Sequence, residues 1–322
     1  MNAGIRMLLR ALSPAGARAP LSILIFHRVH ATPDEIYPNE PDARRFEELM
    51  TWVKAWFNVL PLSAAVKGLR QGTLPARAAA ITFDDGYADN CEVALPILKR
   101  LDVPATFFVA TGFLNGGRMF NDTVIEAVRA VSTPEFDLRA AKLSCYRTGS
   151  PDEKRATIDA ILNATKYLPQ TERDDTVRAI QKAAGKTLPD DLMMTDDQLR
   201  TLRDAGMDIG AHTRTHPILA KCSKAEAESE IARGRDDLAA VLGALPTLFA
   251  YPNGKPGRDY EATHVEIVRR MGFLAAVSTS WGAARTGEDL FQLPRFTPWA
   301  RGSLPFGLRL AQNLAANRPV RV

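Results

Sequence analysis

An α/β fold is predicted, in which seven strands alternate with helices around a mostly parallel, barrel-like sheet and a helical subdomain is inserted between two of the strands. Three observations carry this. Apolar runs of four to seven residues recur along the chain and helical patterns lie between them, the signature of β/α units. Seven such runs fall within 322 residues, enough chain for one large core without a disulfide or metal staple. Between the third run and the fourth lies a segment much longer than an ordinary crossover, itself helical in pattern.

Taken in order, residues 1–20 form an N-terminal extension in which Gly4 to Leu12 has the pattern of a short basic amphipathic helix. Such a helix either rests on anionic lipid or packs against the base of its own domain. The first strand is Leu21–Phe26 (LSILIF), and a helix is expected over Asp42–Phe57. Next come strand Ala79–Phe83, helix Ala88–Arg100 and strand Ala105–Val109. The inserted region runs from about 114 to 192, with helical segments at Asp122–Val131, Asp152–Lys166 and Glu172–Ala184. The alternation then resumes with helix Thr195–Ala205, strand Met207–Ala211, helix Ser223–Gly243, strand Thr247–Tyr251, helix Asp259–Met271 and strand Phe273–Ser278. Thr195 before an apolar period, and Gly206 and Gly272 after helical ones, are start and stop signals. A weaker seventh strand is expected near Leu290–Phe296, so that the main domain covers residues 21–300 and residues 301–322 form a C-terminal helical tail.

Composition narrows the function classes. With 46% hydrophobic and 24% charged residues, 21 Gly and 21 Pro, the chain is globular and neither disordered nor collagen-like. Its 41 basic and 37 acidic residues leave a formal charge of +4. The basic residues are mixed with acids, not clustered among stacking aromatics, which argues against a nucleic-acid partner. Only the first 28 residues are lopsided, with Arg6, Arg10, Arg18 and Arg28 and no acid. The three cysteines, Cys91, Cys145 and Cys222, are far apart and form no CxxC pair, so neither a disulfide framework nor a cysteine zinc site is expected. Arg10 interrupts the first apolar run, leaving it too short for a signal peptide, and no run is long enough for a membrane span. A cytoplasmic location is therefore expected, with peripheral membrane contact open; oligomeric state leaves no signature.

Chemistry concentrates at strand ends. Asp84 and Asp85 stand side by side in Ile81-Thr82-Phe83-Asp84-Asp85-Gly86-Tyr87, at the end of an apolar strand. Asp-Gly is often only a turn. Yet where the chain turns, one carboxylate can face a metal and its neighbour a substrate. Two of the five histidines, His212 and His216, follow another strand at a spacing of four. Such a pair can decorate a helix, but Pro217 disfavours helical backbone at His216, which favours a strand-to-loop ligand pair. With Asp85 they make a two-histidine, one-carboxylate set that leaves coordination positions open. His27 ends the first strand in Ile25-Phe26-His27-Arg28-Val29. Alone it reads as a packing residue. Together with Asp84, Asp85, His212 and the Tyr251-Pro252-Asn253-Gly254 turn, it falls at the C-terminal strand ends, the rim where β/α barrels build active sites.

Thr82–Gly86 (TFDDG) and His212–Pro217 (HTRTHP), in this order and each behind a strand, resemble the first two motifs of the polysaccharide deacetylases, the carbohydrate esterase family 4 or NodB-homology group. The resemblance spans roughly Leu21 to Trp299. It implies a distorted (β/α)7 TIM-like barrel and a hydrolase acting on carbon–nitrogen bonds, a polysaccharide N-deacetylase. Carried over residue by residue, it makes Asp84 the general base and Asp85, His212 and His216 the ligands of a divalent metal, usually Zn2+, with Co2+, Ni2+ or Mn2+ as substitutes. Two departures from the general pattern stand out. Phe249 occupies the place of the third motif's Arg, and no histidine follows His264 to supply the late Leu-x-His acid. Both features resemble the permuted subgroup that includes poly-N-acetylglucosamine deacetylases, in which an N-terminal Tyr/Phe-His-x-Val segment supplies the acid. Phe26-His27-Arg28-Val29 matches it, which makes His27 the acid. Leu293-Pro294-Arg295 resembles a recurrent segment of that subgroup and implies that Arg295 orients Asp84.

Amide hydrolysis needs an activated water, a stabilised oxyanion and a proton for the amine. The resemblance implies that metal-activated water attacks, Asp84 takes its proton, the Asn253 backbone N–H after Pro252 donates to the oxyanion, and His27 protonates the leaving nitrogen. Tyr87, Tyr251, Trp281 and Trp299 are candidate sugar-stacking aromatics, Trp281 foremost. The expected substrate is an N-acetylated carbohydrate, with a lipid-linked sugar left open. Alternatives are an amidase or esterase of the same fold acting on another acyl group, and an inactive carbohydrate-binding member; the latter predicts loss of a motif residue, and none of the central ones is missing.

Overall fold

A computed structural model of the chain describes residues 3–297, 301–316 and 319–322. After helix α1 (Ala3–Leu12) come β1 (Leu21–Phe26), α2 (Ala43–Trp56), β2 (Asn58–Val59), α3 (Leu62–Gln71) and β3 (Ala78–Phe83). These are followed by α4 (Leu95–Arg100), β4 (Thr106–Val109), α5 (Phe120–Ala130), β5 (Glu135–Asp137), β6 (Cys145–Arg147), α6 (Pro151–Thr165) and α7 (Gln170–Ala184). The last part of the chain holds α8 (Asp196–Asp204), β7 (Asp208–Ala211), α9 (Lys224–Leu242), β8 (Leu248–Ala250), α10 (Ala262–Arg270), β9 (Ala275–Val277) and α11 (Ser303–Ala315).

The sheet runs β1-β3-β4-β7-β8-β9 with every neighbour parallel, and β2 pairs with the first residues of β3. Its open edges are joined by residues 293–296. Leu293 bridges Val277 of β9 and Phe296 bridges Leu24 of β1, both parallel. The expected strand over Leu290–Phe296 is thus reduced to a 3-10 turn at Leu290–Gln292 and two bridge points. Pro294 lacks the N–H that would continue the ladder between them. Six strands and this seam make seven positions around a distorted (β/α)7 TIM-like barrel.

All six residues of β1 and all six of β3 are buried, as expected of a parallel sheet covered on both faces. One face of the sheet, with Leu21, Ile23, Ala78, Ala80, Phe108, Ala250 and Val277, lines the barrel interior, where α3 also packs. The other, with Leu24, Phe26, Ile81, Phe83 and Phe107, meets the outer helices. Phe83 stacks on Phe107 at 4.8 Å and on Phe26 at 5.5 Å. Helices α8 and α9 start on capping boxes, Thr195 with Gln198 and Ser223 with Glu226.

The helix expected over Ala88–Arg100 opens instead as a π-type turn at Asn90–Ala94 before α4. Pro96 has no N–H to carry the ordinary register through that point. Helix α3, β2 and the antiparallel β5–β6 pair lie outside the sequence-based expectation; strands of two or three residues leave no period to read. Helices α5, α6 and α7 bury a separate apolar cluster, including Val124, Val128, Phe136, Ile158, Ile161 and Ile180, which also takes in Ile36 from the segment after β1. Helix α1 packs against α11. Among the described residues no helix is long and apolar enough to cross a membrane.

Gly234 in α9 is buried, and a Cβ there would lie 2.5 Å from the Thr213 carbonyl carbon and oxygen, in the loop after β7. Replacing a helical glycine by alanine ordinarily gains about 1 kcal/mol, whereas overpacking costs about 1–3 kcal/mol. Gly234→Ala is therefore expected to lower the melting temperature, and an unchanged or raised Tm would contradict this close packing.

Candidate active site

The β1–β3 ladder continues one residue past Phe83, since the Asp84 N–H donates to Phe26 O at 3.0 Å. The chain then turns through Asp85 (φ 80°) and Gly86 (φ 92°), so successive carboxylates leave the strand in different directions. A side chain at position 86 would meet Val109 Cγ1 at 2.9 Å, which restricts this position to glycine.

His212 follows β7. Its Nδ1 lies 2.8 Å from Ala250 O, and a carbonyl only accepts, so Nδ1 carries the proton and Nε2 presents a lone pair. That Nε2 lies 3.4 Å from Asp85 Oδ1, and His216 Nε2 is also 3.4 Å from the same oxygen. All three donor atoms fall within 4.8 Å of one another. Tetrahedral zinc with bonds of about 2.0–2.2 Å places neighbouring ligand atoms about 3.3–3.6 Å apart, so the residues fit a divalent ion. His216 has φ 54° and Thr213 φ 62°, a strand-to-loop arrangement and not a helical face. The loop is held by α9: Glu230 accepts from the backbone N–H groups of Arg214 (3.1 Å) and Thr215 (2.7 Å).

Asp84 is buried against Arg295, which donates from Nη1 to Oδ1 and from Nη2 to Oδ2, both at 2.6 Å. Arg295 is itself 2% exposed, and its Nε donates to Ser278 O at 2.9 Å. Burial alone would raise the Asp84 carboxyl, but the Arg295 charge, then His212, hold it below its ordinary value. Burial likewise opposes ionisation of Asp85, and the neighbouring imidazoles, His212 first and then His216 and His27, hold it well below the carboxylate range. His212 is raised: burial disfavours its cation, and Asp84 and Asp85 outweigh that. Burial pushes His216 down to about 4, which keeps it neutral and able to ligate.

Asp84, Asp85, His212 and His216 line a cavity of about 400 Å³ together with His27, Asn253 and Thr279, within the usual range for a small-ligand site. His27 is exposed and follows β1. The opposite wall comes from Tyr37, from Asn121, Asp122 and Ile125 of α5, and from Asp159 and Leu162 of α6. Asn253 (φ 59°) sits in the turn after β8, where Gly254 N–H donates to Pro252 O at 2.7 Å.

Several expected contributors lie elsewhere. The Tyr251 side chain is fully buried, stacked on Tyr260 at 3.9 Å with its hydroxyl donating to Phe291 O, so it is a core residue and not a sugar-facing one. Trp281 is 51% exposed and does not line the cavity. Tyr87 lines the cavity but donates its hydroxyl to Asp122 at 2.9 Å. Trp299 lies outside the described residues. Sequence reasoning missed Glu230, Asp122 and Lys166. Each is an ordinary charged residue on a helix or, for Lys166, directly after one, and only tertiary packing brings it to the rim. Asp122, raised to about 7 by burial and then by Asp85, stands out only once folded.

The family model described as polysaccharide deacetylase matches residues 71–134 and 165–276, more than half of the chain. A Staphylococcus aureus poly-beta-1,6-N-acetyl-D-glucosamine N-deacetylase is 27% identical over 177 residues, covering 52% of this chain and 58% of that protein. This chain thus spans somewhat over half the length of that relative. The Streptococcus pyogenes deacetylase PplD, solved in complex with acetate, superposes with a TM-score of 0.59 at 20% identity, over 92% of this chain and 99% of that one. IcaB from Ammonifex degensii gives 0.58 at 19% identity, over 94% and 99%. These two likenesses bear on the fold. The family match, together with the fold, places this chain in the polysaccharide deacetylase family.

Proposed function

We propose that this protein is a metal-dependent N-deacetylase acting on an N-acetylated amino-sugar polysaccharide. The observation that supports it most is the convergence of Asp85, His212 and His216 beside Asp84 in one cavity. The name of the Staphylococcus aureus relative, with its poly-N-acetylglucosamine substrate, supports the choice of sugar.

Asp85, His212 and His216 would hold the ion, with zinc proposed and Co2+, Ni2+ or Mn2+ suited to the same donor set. When bound, such an ion supplies Lewis acidity, lowering the pKa of water and polarising the acetyl carbonyl. Asp84 is the general base. A carboxylate offers about four acceptor sites, so the two bonds from Arg295 leave it able to accept a proton from the attacking water while fixing its orientation. The Asn253 backbone N–H donates to the developing oxyanion, and His27 delivers a proton to the leaving nitrogen. In this reading residues 21–300 are the deacetylase domain, interrupted at about 114–192, with residues 1–20 and 301–322 as flanking segments.

The two flanking helices support a peripheral contact with anionic lipid. Helices α1 and α11 expose Met7 (73%), Leu304 (53%) and Leu308 (45%), with Arg6, Arg10 and Arg309 exposed on the same helices. Neither residues 1–28 nor residues 301–322 contain an acid. Apolar anchors with surrounding cations suit a negatively charged bilayer surface.

Acetate release from N-acetylglucosamine oligomers is expected of the wild type. Asp84→Asn is expected to lower kcat by about 10²–10⁴ with metal content retained, and full activity in that variant would overturn the assignment. Co-sedimentation with anionic vesicles is expected to fall for the Met7→Ser, Leu308→Ser double variant; equal recovery of both proteins would rule out this surface.

A further inference from the structure

The inserted region has a second point of contact with the rim besides the cavity wall. At the C-terminal end of α6, Lys166 Nζ donates to Asn253 Oδ1 at 2.7 Å, across 87 positions of sequence. The adjacent Tyr167 hydroxyl accepts from Arg258, which follows the same turn. On its other side the turn is tied to the end of β9: Thr279 Oγ1 donates to Asn253 O at 2.7 Å, and Thr279 N–H to Gly254 O at 2.8 Å. Asparagine is one of the few non-glycine residues that readily adopt φ near 59°, so the turn conformation suits Asn253 and these bonds fix where its side chain and backbone lie.

We infer that Lys166 is a positioning residue for the reaction, holding the Asn253 side chain so that the backbone of the Pro252–Gly254 turn keeps its place beside the metal ligands. The inference rests on the proposed role of the Asn253 N–H. Its physical basis is preorganisation. An oxyanion donor acts through placement fixed before the reaction, and a shift of about 1 Å in a group far from the bond being broken can cost about 10²-fold. Lys166 forms a charge-assisted bond to a neutral amide oxygen, and it belongs to an element outside the barrel. The helical insertion therefore takes part in catalysis mechanically, by latching onto the turn, as well as by walling the cavity. Lys166 is partly buried and not a core residue, so replacing it leaves the apolar clusters intact.

Steady-state kinetics on N-acetylglucosamine oligomers test this. Lys166→Met is expected to lower kcat by about 10–100-fold, with KM within about threefold and Tm and metal content unchanged. Lys166→Arg is expected to restore most of the activity, since one donor to one acceptor does not demand the ammonium shape. Asn253→Gly keeps the backbone N–H and the positive φ but removes Oδ1. It is expected to lose about as much as Lys166→Met, and the double variant no more than either alone. A Lys166→Met enzyme with wild-type kcat, or losses that multiply in the double variant, would overturn the inference. An inactive wild type on these oligomers would instead count against the proposed function.

Discussion

The buried pair of Asp84 and Arg295 joins the fold to its chemistry. Arg295 sits in the seam that closes the barrel between β9 and β1, and its guanidinium spans the interior to Asp84 and Thr82 on β3. A guanidinium at 2% exposure is tolerable only when its donors are satisfied, and removing one partner of such a pair typically costs about 3–5 kcal/mol. Closing the barrel and orienting the carboxylate are thus one structural event. The same contact keeps Asp84 ionised although it is out of water.

Around that pair the rim is assembled from loops that their helices hold in place. Helix α9 grips the His212–His216 loop through Glu230 and through close approach at Gly234. The Ala250 carbonyl fixes the His212 ring. Four rim residues other than glycine, Asp85, Thr213, His216 and Asn253, have positive φ. Backbone strain of this kind can persist where geometry serves a site; Asp85 and His216 are themselves proposed ligands, while Arg77, Asp102, Asn115 and Lys142 carry positive φ elsewhere in the chain.

Much of this was legible in the sequence. Continuous apolar runs announce buried parallel strands, and the charged residues at their ends mark Asp84, Asp85, His212 and His216. Pro217 signalled that the histidine pair was not helical. The limits were equally physical. Leu290–Phe296 reads as a strand by composition, but Pro294 breaks its ladder. Tyr251 and Trp281 are aromatic residues near the rim in sequence, and nothing local says that one turns into the core and the other away to solvent. Glu230 and Lys166 act across tertiary contacts, and pattern along the chain carries no record of a partner so distant.

The central claim is that one ion held by Asp85, His212 and His216 is required for hydrolysis. Titrating Co2+ into metal-free protein, following visible absorption and acetate release together, tests it most directly. Tetrahedral-type absorption and activity are expected to rise in step and to level off at one equivalent, with neither appearing in His216→Ala. Full activity in the metal-free protein, or activity that rises without the absorption band, would contradict it.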